Sequence, residues 1–184
     1  MAGQHGWGAP LDMIRDTIRV HAIHVIGPSC AGKSHLIRAA GLPSWDVLEF
    51  YASCGAWRRG EPFSTRLMHS KPALWRRKTE ALERELEAFL RGGGVRAVES
   101  SGINERIDSV VRRARKVTRI LLTAPPEDEL RRRAKRRGLS LSNVVGFSHR
   151  FGESLHGAVP VTYDQALRTI REAIGSSEGG SSHA

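Results

Sequence analysis

Gly27-Pro28-Ser29-Cys30-Ala31-Gly32-Lys33-Ser34 fits the spacing GxxxxGK[ST] without a gap. These residue types suit a polyphosphate. Glycines let the backbone turn tightly and bring N–H groups close, lysine supplies a point charge, and a serine hydroxyl can hold a divalent cation. The flanks agree: Val20–Ile26 reads as a strand and His35-Leu36-Ile37-Arg38-Ala39-Ala40 as the start of a helix. A strand, a glycine-rich loop and a helix N-terminus build an anion site from backbone amides and the helix dipole. On this reading Gly27, Ser29, Cys30, Ala31, Gly32, Lys33, Ser34 and His35 hold a nucleotide. Lys33 reaches its β- and γ-phosphates, and Ser34 holds magnesium.

The elements that must position this loop alternate along the chain. After the turn Gly41-Leu42-Pro43-Ser44, the run Trp45–Phe50 is expected to be a second strand. Pro72 opens a helix over Ala73–Leu90, with Leu74, Ala81, Leu82, Leu86, Phe89 and Leu90 as its apolar stripe, and Gly92-Gly93-Gly94 ends it. Val95–Glu99 predicts a third strand, Asn104–Val111 a short helix and Val117–Thr123 a fourth strand. A helix then starts at Pro125-Pro126-Glu127 and runs to Gly138, with acids first and bases last, as the helix dipole favours. Val159–Tyr163 predicts a fifth strand, and Asp164 is expected to cap a last helix ending at Ile174. Alternation of this kind implies an α/β fold, a parallel sheet covered by helices on both faces, with ligands at the strand C-terminal ends. The expected division is an N-terminal segment at 1–18, one domain at 19–175 and a disordered tail at 176–184.

A chain of 184 residues suits one domain with a real core. It has no apolar run of membrane-spanning length, and its start lacks the form of a signal peptide, so a cytoplasmic protein with no membrane partner is expected. Two cysteines, Cys30 and Cys54, make neither a disulfide scaffold nor a zinc site. The net charge of +10 is high for an enzyme of free metabolites. Such a surface attracts polyanions, nucleic acid first, although a solvated surface from a GC-rich genome, where Arg replaces Lys, gives the same composition. No guanine-specifying NKxD motif is present, which argues against a GTPase switch.

The loop and the element order resemble the small P-loop kinases: nucleoside monophosphate kinases, shikimate-type kinases and bacteriophage polynucleotide kinases. The resemblance spans Val20 to about Ile174 in element order, and its specific part is Gly27–Ser34. It implies a three-layer α/β/α fold on a five-stranded parallel sheet, with ATP and Mg2+ as cofactors. It also implies a carboxylate at the end of the second strand that orients or deprotonates the acceptor hydroxyl. Glu49 and Asp46 are the candidates, with Glu49 favoured as nearer the expected strand end. A second carboxylate after the third strand is implied for the magnesium shell. Glu99 stands there where many relatives have Asp, which leaves open a metal-bound water, the acceptor or Ser34 as its partner. The resemblance finally implies an arginine-bearing lid at about 130–157. Helical spacing puts Arg133 and Arg137 on one face and Arg132 and Arg136 on a neighbouring one; Arg133 is the catalytic candidate, and Arg132 and Arg136 are nucleotide-binding candidates.

The acceptor is read from residues 55–66, where Trp57 and Phe63 alternate with Arg58, Arg59 and Arg66. Aromatics among arginines can stack bases and neutralise phosphates, or the rings can pack as core under a long loop. Asp46, Ser100 and Ser101 complete the substrate candidates. Further bases at Arg76–Lys78 and Arg112–Lys116 suit a strand of DNA. The resemblance extends to bacteriophage kinases that phosphorylate 5-hydroxymethyluracil in DNA, so a hydroxymethyl group or a 5′-hydroxyl on DNA is the leading acceptor. A free nucleotide kinase and a nucleotide-dependent DNA-binding protein without kinase chemistry stay as alternatives.

Overall fold

The computed structural model describes residues 17–53, 72–101, 104–139, 144 and 160–178. Its elements are β1 (Ile18–Ile26), α1 (Lys33–Ala39), β2 (Ser44–Asp46), α2 (Val47–Ser53), α3 (Pro72–Arg91) and β3 (Val95–Ser100). They continue with α4 (Glu105–Val111), β4 (Ala114–Leu122), α5 (Glu127–Arg136), β5 (Pro160–Val161) and α6 (Tyr163–Glu178). The strands form one five-stranded sheet in the order β2-β3-β1-β4-β5, and every pairing is parallel.

Alternation along β1 divides the core. Ile18, Val20 and Ala22 face one side, where Leu82, Leu86 and Leu90 of α3 and Ile107, Val110 and Val111 of α4 pack. Ile23 and Val25 face the other, against Leu36 and Ile37 of α1 and Ala166, Ile170 and Ala173 of α6. Leu82, Leu86 and Leu90 are fully buried, worth about 1.5–3 kcal/mol apiece by transfer. The sheet thus has helices on both faces, the expected three-layer fold. Among the described residues, no helix is long and apolar enough to cross a membrane.

Several boundaries differ from the sequence expectations. The second strand ends at Asp46, because the Asp46 carboxylate accepts the Leu48 N–H at 2.8 Å and turns the chain into α2. Trp45–Phe50 therefore splits between strand and helix, a choice that a short apolar run does not reveal. β4 begins earlier than expected, at Ala114, which pairs with Ile18 of β1. β5 stops at Val161 and Tyr163 opens α6. The cap there is Thr162, not Asp164: the Gln165 amide oxygen accepts Thr162 N–H at 2.9 Å, and the Thr162 hydroxyl accepts Gln165 N–H at 3.4 Å. That reciprocal pair is a capping box. α6 also runs to Glu178, past Ile174, with the Ser176 hydroxyl bonded back to the Glu172 carbonyl at 2.6 Å.

Candidate active site

The loop between β1 and α1 is held by close backbone approaches. Gly27 N–H donates to the Ser100 carbonyl at 3.3 Å, and a Cβ at Gly27 would meet the Leu122 carbonyl at 3.0 Å. Cys30 (φ 66°) and Gly32 (φ 105°) take left-handed conformations that turn the chain into α1. Lys33 arches back, its Nζ donating to the carbonyls of Gly27 at 2.9 Å and Pro28 at 3.0 Å. Burial lowers the Lys33 pKa, and the Glu99 and then the Asp46 carboxylates oppose that shift.

Glu99, at the end of β3, is 8% exposed. Its Oε1 accepts the Ser34 hydroxyl at 3.0 Å and lies 3.7 Å from Lys33 Nζ. Asp46 is the register partner of Glu99 on β2. Burial raises the pKa of both acids. The Lys33 charge acts against the rise at both, and at Asp46 the bond from Leu48 N–H does so more strongly. Lys33, Ser34, Asp46 and Glu99 therefore meet at the C-terminal ends of β1, β2 and β3. Glu49, favoured from sequence, is exposed in the first turn of α2, and its charge acts on Asp46 from outside this group. The early end of β2 exchanges the two candidates' places.

The arginines of α5 separate as their spacing implies. Leu130 and Ala134 pack with Cys30 and Val144, which turns that helix face to the loop. Arg133 lies on it, Nη1 donating to the Cys30 carbonyl at 3.1 Å and Nε to Glu129 at 2.8 Å. Arg137, one turn on, acts electrostatically on Lys33, Asp46 and Glu99. Arg132 and Arg136 are each 73% exposed and paired with Glu129, so the structure does not bring them to the loop.

The remaining candidates spread out. The ring of His35, in the first turn of α1, bonds the Tyr163 hydroxyl at 2.6 Å. Tyr163 thereby flanks the loop, with Cδ2 4.0 Å from where a Cβ on Gly32 would stand. Sequence reading missed this residue because it was placed in a strand. Ser100 is buried, its hydroxyl 2.7 Å from His24 Nε2. Ser101 follows it, half-buried. Ser29 and Ala31 lie in the loop as expected. Trp57, Arg58, Arg59, Phe63 and Arg66, and most of the expected lid beyond Leu139, fall outside the described residues.

The donor set suits magnesium. The oxygens of Ser34 and Glu99 are hard ligands, and the described residues hold no group of three or more His, Cys, Asp or Glu side chains placed to bind a metal. Magnesium is ordinarily held by one or two carboxylates together with substrate phosphates.

No family model matches the chain, and no curated protein does. Solved structures do. One is the tunicamycin resistance protein of Deinococcus radiodurans, at 20% identity and a TM-score of 0.56, covering 85% of this chain and 96% of the other. Another is a sugar kinase from Janibacter, at 16% identity and a TM-score of 0.54, covering 87% and 95% respectively. With the parallel sheet and the loop at its centre, these likenesses establish the fold: the chain is built as a P-loop kinase is built.

Proposed function

We propose that this protein is a kinase that uses ATP and Mg2+ to phosphorylate a hydroxyl group. The convergence of Lys33, Ser34, Asp46 and Glu99 at one edge of the sheet carries the reading. The loop amides and Lys33 would bind the β- and γ-phosphates, and Ser34 and Glu99 would hold the cation, which would supply neutralising charge to the transferring phosphoryl group. The acceptor oxygen forms a bond to the γ-phosphorus as the bond to the β-phosphate oxygen breaks. Asp46 takes the acceptor proton; burial raises its pKa, which makes it a better base at neutral pH. Arg133, already placed over the loop, stabilises charge in the transition state.

The acceptor we favour is a hydroxyl on DNA, with the hydroxymethyl group of a modified base such as 5-hydroxymethyluracil first and a 5′-hydroxyl second. The net charge of +10 and the arginines of residues 55–66 support a polyanionic substrate. A small hydroxyl compound is the second reading, supported by the likeness to a sugar kinase. Transfer of label from γ-labelled ATP decides among hydroxymethylated DNA, 5′-hydroxyl oligonucleotide, nucleoside monophosphates and sugars. Label confined to mononucleotides or sugars removes the DNA reading. No label in any acceptor, with DNA binding intact, removes the kinase.

A further inference from the structure

We infer that His24 is a positioning residue for the phosphoryl-transfer site, acting through Ser100 to clamp the end of β3 against the start of the phosphate loop; the inference rests on the kinase reading. His24 is 1% exposed, on the β1 face that carries Val20 and Ala22. A leucine would fill such a place without a polar cost, so an imidazole there calls for a task.

Its surroundings define one. Nε2 is 2.7 Å from the Ser100 hydroxyl. On the other side, Nδ1 makes no hydrogen bond and lies 3.9 Å from Asp108 Oδ1. Asp108 is itself held by Arg119 at 2.8 Å and Arg112 at 2.7 Å. A carboxylate facing Nδ1 favours the tautomer with its proton there, which leaves Nε2 to accept the Ser100 hydroxyl proton. Ser100 is thus gripped twice: His24 takes its hydroxyl, and Gly27 N–H donates to its carbonyl at 3.3 Å. The residue before it is Glu99, whose carboxylate accepts the Ser34 hydroxyl. A shift of Ser100 would move the first residue of the loop and the metal-side carboxylate together. His24 touches neither the nucleotide site nor its ligands; it sets their spacing.

The test uses His24→Leu, Ser100→Ala and the double variant, with two readouts. The first is hydrogen exchange at the Gly27 amide, which needs no nucleotide; both single variants should expose it at unchanged exchange of the α3 amides. The second is affinity for a non-hydrolysable ATP analogue with and without Mg2+. Binding without Mg2+ should hold, while the gain from Mg2+ should fall about tenfold, as for other partners of metal-side ligands. The double variant should be no worse than either single one. Unchanged Gly27 exchange and an unchanged Mg2+ gain, or additive losses with a uniform drop in stability, overturn the inference. If His24→Leu does not fold, Ser100→Ala decides by the same two readouts. A wild-type protein that binds no nucleotide refutes the kinase reading, and Gly27 exchange still decides the clamp.

Discussion

Asp46 and Glu99 stand opposite each other in register on adjacent parallel strands, and Lys33, more strongly than Arg137, acts on both. Two buried acids with raised pKa values beside one lysine form an arrangement whose stability and chemistry change together with pH.

Replacing Asp46 should separate those effects. Asp46→Asn should slow phosphoryl transfer about 10²–10⁴-fold, while Glu49→Gln leaves turnover near wild type. Because folding raises the Asp46 pKa, its favourable contribution is present below the ordinary carboxylate range and lost as pH rises through the raised value. Asp46→Asn should therefore be more stable than wild type at pH 7, with the advantage shrinking in acid. Urea titrations at the two pH values check this, and a variant less stable at pH 7 contradicts it.

Lys33→Ala should abolish transfer. It also leaves Glu99 and Asp46 without their nearest counter-charge. The destabilisation should be largest at neutral pH and diminish as the two carboxyls take up protons, a trend that thermal melts from pH 7 to 4 would reveal.

The arginines of α5 should divide by face. Arg133→Ala should cost about 10²–10³ in turnover, as for loss of one donor to transition-state charge. Arg132→Ala with Arg136→Ala should leave turnover alone and alter only the salt dependence of polyanion binding. Equal losses in turnover would show that the helix presents a different face.

His24 should shape the acid limb of stability. Burial lowers its pKa from 6.5 to about 4, with Asp108 opposing the shift. A depressed pKa contributes stability above the unfolded value, and that stability is lost as pH falls from about 6.5 to about 4. The loss amounts to about 3 kcal/mol. A His24→Leu protein should lack this slope in urea titrations across the window, and an unchanged slope would assign it to other groups.

Thr162→Ala should cost about 1 kcal/mol by removing the capping box of α6, and Gln165→Ala a similar or smaller amount, both measured by urea unfolding. Asp164→Ala should cost less, since Asp164 lies inside the first turn.

The loop, the alternation of elements and the layers were legible because they rest on local spacing and apolar runs. Lys33 and Ser34 were candidates on that ground and Glu99 on the family resemblance, and the structure brings the three side chains together. Asp46 was placed second because one side-chain bond to Leu48 ends the strand within an apolar stretch that reads equally as strand or helix. Tyr163 was hidden by the same ambiguity around β5. The pairing of His24 with Ser100 spans 76 residues and follows from the register of β1 on β3, which no local pattern encodes. The split of the α5 arginines was visible in their spacing, but which face meets the loop depended on Leu130 and Ala134 packing on Cys30.

β2 has three residues and lies at the edge of the sheet, whereas the phosphate loop and Glu99 hang from β1 and β3, each bonded on both sides. On the proposed kinase reading, the parts that would handle the donor are thus mechanically braced, and the part that would meet the acceptor is attached along one margin. Under that reading, such a layout would let evolution, or an engineer, rewrite residues from Asp46 onward to admit a different alcohol while the apparatus that would split the triphosphate stays untouched. The architecture behaves as a chassis with an interchangeable tool.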